Sequence, residues 1–215
     1  MATEHDARDV NIAETKLLDS ALHLFSEKGY EGTSIREIIE GAGVTRPVLY
    51  YYFENKEDLF RRLVEMKFSE YTANIEQIKE NYAESLGRLK AVIRLTFDMA
   101  ERSPETVRLI LKVFFSPPHC GPTLERSNLG PRRFRLIEDM IKEGLAKGEL
   151  AGGDSKSLTL VFLGIMDMHV MAKSDRPETR LTPELGEGLV DLFFYGACWK
   201  ANPPTNLVSP YSGMA

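Results

Sequence analysis

The sequence predicts an all-α chain, with a three-helix unit at the N-terminus and a larger helical remainder. Three observations carry this. Apolar residues recur at helix spacing through most of the 215 residues, and no stretch shows the strict alternation of a strand. Helix-ending and helix-opening residues punctuate these stripes at Gly29, Pro104, Gly148 and Pro183. Between Thr33 and Leu59, two short helical patterns flank a glycine-containing turn.

Composition bounds the class. Hydrophobic residues make up 43% and charged residues 27%, ordinary values for a globular protein. The opening stretch MATEHDARDV is polar, so no secretory signal is expected. The longest apolar stretch, Ser157 to Met166, falls short of the ~18 residues a membrane span needs, so no membrane partner is expected. Cys120 and Cys198 stand far apart without a CxxC or Cys/His cluster, which fits a reduced cytoplasm and argues against a disulfide framework, a structural zinc or another metal site. No phosphate-cradling glycine loop, HExxH or GxSxG is present, so neither catalysis nor a cofactor is expected.

In chain order, residues 1 to about 9 read as a solvated tail. Ile12, Leu17, Leu18, Ala21, Leu22, Leu24 and Phe25 form the stripe of a first helix that Gly29 ends. His23, within it, has no ligand partner at i+4 and reads as structural or exposed. Ile35, Ile38, Ile39 and Ala42 give the next helix one apolar face, with Ser34 and Glu37 spaced as a capping box and Gly43 suited to a left-handed turn. Thr45 stands at the N-cap of a third helix with Val48, Leu49, Tyr52 and Phe53 inward. Asn55 caps a fourth, whose Glu57 and Asp58 suit a helix N-terminus.

Helices follow without interruption. One runs from about Asn55 to Lys79; others carry Leu86 to Ala100, and Val107 to Phe115 opening at Pro104. Ser116 to Pro131, with four prolines, reads as a loop; His119 and Cys120 within it lack further ligands for a metal or thiol switch. Arg132 to Lys147 is the next helix. Asp154 caps one that is apolar on nearly every side, interrupted by Asp167 and His169 and expected to be buried all round. The last opens at Pro183. Ala201 to Ala215 reads as a tail.

Ala42-Gly43-Val44-Thr45, Leu49-Tyr50-Tyr51-Tyr52-Phe53 and Lys56-Glu57-Asp58-Leu59, with Gly29-Tyr30-Glu31-Gly32-Thr33-Ser34 before them, resemble the DNA-binding domain of the TetR family of transcriptional regulators. The resemblance covers about the first quarter of the chain. It implies a helix-turn-helix DNA-binding domain over residues 1–58, a ligand-binding and dimerisation domain over 59–200, and a tail over 201–215. By it, Thr45 and Arg46 face base edges or phosphate, and Pro47 and Val48 meet thymine methyls. Tyr50, Tyr51, Lys56 and Ser34 hold phosphates. The partners implied are an inverted-repeat operator in double-stranded DNA, a small-molecule effector and a second copy of the chain. Its two last helices look like the four-helix dimer bundle of the family, with Leu185, Leu189, Leu192, Phe193 and Gly196 at the interface. Phe97, Phe114, Phe115, Phe134, Phe162, Met166 and His169 are the expected effector-pocket residues. The function implied is a cytoplasmic, ligand-responsive regulator, a repressor rather than an activator. A constitutive DNA-binding protein whose C-terminal part only dimerises, or a helical enzyme, is the alternative.

Charge opposes the DNA reading. The net charge is −5, and the first 60 residues hold six Lys or Arg against twelve Asp or Glu. Nucleic-acid binders usually show a basic footprint. From Thr33 to Arg62 the two signs balance at five each. Helix N-termini and hydroxyls also hold phosphates, so few cations are expected to bear the contact.

Overall fold

The computed structural model describes residues 4–115, 126–150 and 153–197, with side chains from residue 12 and, after the first break, from residue 130. Among these, nine α-helices and no strand are found. They are α1 (Glu4–Lys28), α2 (Ile35–Ala42), α3 (Arg46–Tyr52), α4 (Lys56–Asn81), α5 (Ser85–Arg102), α6 (Pro104–Phe115), α7 (Arg126–Ala146), α8 (Ser155–Asp175) and α9 (Pro183–Ala197). The all-α expectation holds. Two boundaries move: α1 starts at Glu4 where a tail was expected, and α7 starts at Arg126 and continues through Pro131. His119, Cys120, Trp199 and the tail from Ala201 lie outside the described residues.

The chain forms two compact units. The first gathers the described residues up to Glu70 together with those of Glu105–Leu129; the second takes Tyr71–Pro104 and the described residues from Gly130 onward. Residue 58 therefore falls inside α4, and α6 belongs with the first unit.

In the first unit, Leu17, Ala21 and Phe25 of α1 meet Ile38 of α2, Leu49 of α3 and Leu59, Phe60 and Leu63 of α4 in one buried cluster. Full burial of each large side chain stabilises the fold by about 1.5–3 kcal/mol. Phe25 and Phe60 meet edge to face at 4.9 Å. Helix α6 adds Leu109 and Val113 to this core. Its polar side grips the end of α1: Lys112 Nζ donates to the carbonyls of Ser26 (2.6 Å) and Glu27 (3.0 Å), Arg108 pairs with Glu27 (2.6 Å) and Glu105 meets His23 (2.7 Å). These carbonyls belong to the last turn of α1, where a cation satisfies orphan acceptors.

The second unit is a helical bundle. Leu89, Val92, Ile93 and Phe97 of α5 are buried, as are Phe162, Met166 and Val170 of α8 and Val190 and Phe193 of α9. A side chain at Gly186 would stand 3.2 Å from Ile93, so this glycine permits the close approach of α9 to α5. Arg94–Glu187 (3.0 Å) and Lys90–Asp191 (2.7 Å) flank that contact. Arg133 on α7 holds Asp167 on α8 with two bonds, 3.1 and 2.5 Å, and lies over the Tyr71 ring. Tyr71 in turn bonds Thr96 at 2.9 Å. Asp154 caps α8 as expected, accepting from the N–H groups of Lys156 and Ser157 at 3.0 Å each.

Candidate nucleic-acid interface

Local chemistry sets the helix-turn-helix. The Glu37 N–H donates to Ser34 Oγ (3.3 Å), while the Ser34 N–H and hydroxyl both donate to Glu37 Oε2 (2.8 Å each), which makes the capping box complete. Lys28 Nζ sits 2.6 Å from the other carboxylate oxygen. These contacts, Lys28 foremost and then Ser34, lower the Glu37 pKa to about 2. Gly43 ends α2 in the left-handed conformation (φ 64°, ψ 33°) that a side chain would penalise. Ser20 of α1 donates to the Ile38 carbonyl at 2.9 Å, and a Cβ at Gly41 would stand 2.5 Å from that hydroxyl, so α1 and α2 approach closely.

Helix α3 follows after Val44 and Thr45. Thr45 occupies the N-cap with extended backbone, but its hydroxyl makes no cap bond, which corrects the capping expectation for that side chain. Leu49 and Phe53 turn into the core. Thr45, Arg46, Pro47, Tyr50 and Tyr51 are exposed, Tyr51 by 75%, and Val48 is half-buried. Arg46 reaches along this side toward Tyr50, its Nη2 3.5 Å from the hydroxyl and its guanidinium 5.6 Å from the ring centre.

Asn55 caps α4 by accepting from the Asp58 N–H (2.9 Å), and Asp58 returns a bond to the Glu54 N–H (3.2 Å). Asp58 also binds Arg61 (2.7 Å) and Arg62 (3.2 Å). Arg36 pairs with Glu40 at 2.7 Å. Lys56 donates to the backbone carbonyls of Tyr30 and Thr33, 3.0 Å each. Among the described cations between residues 33 and 62, Arg46 is the one held by neither a carboxylate nor a carbonyl.

The structure thus brings Thr45, Arg46, Pro47, Tyr50 and Tyr51 together on one exposed helix side. Ser34 has its hydroxyl committed to the cap, and the Lys56 ammonium faces inward. Among the described residues no group of His, Cys, Asp and Glu could hold a metal ion, and no helix is long and apolar enough to cross a membrane.

The expected effector residues divide between the units. Phe97, Phe162 and Met166 are buried in the second, with Phe134 half-buried; His169 there accepts or donates at the Ile165 carbonyl (2.7 Å) and lies 6.2 Å from the Phe97 ring. Phe114 packs on Phe68 at 5.8 Å in the first unit, and Phe115 is exposed. A separate open groove of about 430 Å³ runs between α4 and α5, bordered by Asn74, Gln77, Asn81, Tyr82 and Arg94. Of the expected interface residues, Leu192 and Gly196 are exposed and Leu185 and Leu189 half-buried. Phe193 instead turns inward, packing on Phe162 at 5.8 Å. Sequence reasoning missed Leu160, Val161 and Met168 of α8, which stand exposed where all-round burial was expected, and Tyr195 of α9.

Comparison with known proteins bears on this geometry. The model of the bacterial regulatory proteins of the tetR family matches residues 17–63. The biofilm operon negative transcriptional regulator IcaR of Staphylococcus epidermidis is 33% identical over 90 residues, 40% of this chain and 47% of that protein, so the chain spans about half its length. IcaR of Staphylococcus aureus strain Newman is 36% identical over 154 residues, 69% of this chain and 78% of that protein. The fold is similar to that of the transcriptional regulator FadR of Bacillus subtilis in complex with stearoyl-CoA, with a TM-score of 0.73 at 20% identity over 85% of this chain and 98% of that one. On the identity and coverage shared with the S. aureus regulator, this chain belongs to the TetR family of bacterial regulatory proteins.

Proposed function

We propose that the chain is a ligand-responsive transcriptional repressor that binds an inverted-repeat operator as a homodimer in the cytoplasm. The observation that carries the DNA reading is the exposed side of α3, where Arg46 is the cation without an acidic or carbonyl partner. Arg46 has the donor fork that grips guanine O6 and N7. Thr45 reads an adjacent base edge or phosphate, Pro47 and Val48 pack on thymine methyls, and Tyr50 and Tyr51 give hydroxyls to phosphates. The start of α2 at Ser34 supplies backbone N–H groups to another phosphate. The negative regulation named for both IcaR relatives supports repression.

Dimerisation rests on apolar surface that a lone chain leaves in water: Leu160, Val161 and Met168 on α8, with Leu192 and Tyr195 on α9. Such patches mark association, and a two-fold dimer imposes its symmetry on its DNA site. The effector is a small apolar or amphipathic molecule taken up in the second unit beside Phe97, Phe134, Phe162, Met166 and His169; the stearoyl-CoA held by the similar FadR fold supports that class. Helix α4, which gives Leu63 to one core and Ile75 to the other, couples effector to operator. Moving from 1:99 to 99:1 requires the effector to prefer the non-binding state by about 5.5 kcal/mol.

The full burial of Phe97, Phe162 and Met166 favours a second reading, in which the second unit is a solid core that only dimerises. One experiment separates the two. Small molecules retained by the purified protein are identified by mass spectrometry and titrated against free protein and against protein saturated with a duplex selected from a random pool. Linkage requires the duplex to weaken the effector by the factor the effector weakens the duplex. Equal affinities in both titrations would refute the switch for that compound.

A further inference from the structure

A lysine at the first position of a helix stands against the helix dipole, so its charge needs another partner. Lys56 opens α4 and meets no carboxylate there; its Nζ donates to Tyr30 O and Thr33 O at 3.0 Å each and lies 4.1 Å from the centre of the Tyr30 ring. The receiving turn is itself well held. Thr33 N donates back to Tyr30 O (3.3 Å), Thr33 Oγ1 bonds Gly29 O (2.8 Å), and the Tyr30 ring rests 5.1 Å from Phe60 and 5.9 Å from Phe25.

The two ends of this contact have a particular place in the chain. Thr33 immediately precedes the Ser34 cap of α2, and Lys56 follows α3 and its short exit turn. The 23 positions between Thr33 and Lys56 contain the whole helix-turn-helix. One ammonium therefore closes the base of the segment whose far side carries Arg46, Tyr50 and Tyr51. Closing a chain segment at its base removes open conformations from the ensemble. A cation over an aromatic face, with carbonyl oxygens as further partners, is a stable seat for that closure.

We propose that Lys56 is a positioning residue: it ties the entrance of α2 to the exit of α3, fixes the presentation of α3, and leaves phosphate contact to other groups. The proposal rests on the DNA-binding reading above. In Lys56→Met, which keeps the stem and removes the ammonium, affinity for a duplex selected from a random pool should fall on the order of tenfold or more. The slope of log K against log salt should stay as in the unmodified protein, and the α2 and α3 amides should exchange faster. A phosphate ligand would behave otherwise: the slope would become shallower by about 0.9 per lysine lost. That change with unaltered amide exchange overturns the proposal.

A measurement on the unmodified protein covers the case in which the variant does not fold. Lysines are acylated in the free protein and the sites quantified by mass spectrometry. Lys56 should react more slowly than the exposed Lys16, and saturating duplex should leave its rate unchanged. Fast reaction in the free protein with protection by duplex overturns the proposal. Selection that yields no duplex at all counts against DNA binding instead, while slow acylation in the free protein still supports the tie.

Discussion

Arg46→Ala removes the one cation between residues 33 and 62 that has no acidic or carbonyl partner. The folded protein should lose little by it. The bond to Tyr50 is long at 3.5 Å, and an exposed cation over a ring contributes about 0.5–1 kcal/mol at most. On DNA the loss is larger. A bidentate arginine–guanine pair discriminates by about 1–3 kcal/mol, and a two-fold dimer loses it twice, so operator affinity should fall by about 2–6 kcal/mol. The assay is competition gel shift with a selected duplex and its single-base-pair variants at several salt concentrations, with thermal melting of the free protein alongside. The expected result is relaxed preference at one symmetric position per half-site and an almost unchanged melting temperature. Uniform loss across all variants would move Arg46 to the phosphates, and unchanged affinity would refute its role in recognition.

Three further outcomes follow from the geometry. Gly41→Ala forces Ser20 off the Ile38 carbonyl, a loss of about 0.5–1.5 kcal/mol, but gains about 0.8–1 kcal/mol of helix propensity, so denaturant melts should show it near neutral. In a Ser20→Ala background only the gain remains, and the same change should stabilise by about 1 kcal/mol. Leu192→Asp leaves the exposed position foldable but buries an unpaired charge in the proposed interface, at several kcal/mol, so sedimentation should find monomers; Phe193→Ala, being inward, should instead lower folding stability by about 3–5 kcal/mol. The Glu37 carboxyl, held at about 2 by Lys28 and Ser34 against an ordinary 4.5, gives stability that is complete above pH 4.5 and lost as pH falls through about 2. Glu37→Gln should flatten the melting-temperature slope in that window.

What was legible in the sequence was local. Ser34 with Glu37 and Gly43 after Ala42 are short-range chemistry, and the structure shows both as read. The inward positions Phe25, Ile38 and Leu49 followed from helix periodicity. Long-range partners were not legible. Nothing near Glu105, Arg108 or Lys112 indicates that each meets α1 more than eighty positions earlier, so α6 could not be assigned to the first unit. Lys56 read as a cation for phosphate because its carbonyl partners carry no side-chain signature. Leu192-Phe193-Phe194-Tyr195 is apolar throughout, so periodicity does not say which of them points inward; packing against Phe162 decides it for Phe193. The uniform apolar run of α8 hid the exposure of Leu160 and Met168 for the same reason.

The central claim is that α3 of two chains reads DNA in two-fold register. Hydroxyl-radical footprinting of the full-length protein on duplexes selected from a random pool tests it most directly. The account requires two protected blocks related by inversion, with centres about 34–36 Å apart along the duplex, or a whole multiple of that turn. Protection of a single asymmetric block, with one half-site sufficient for full affinity, would contradict it.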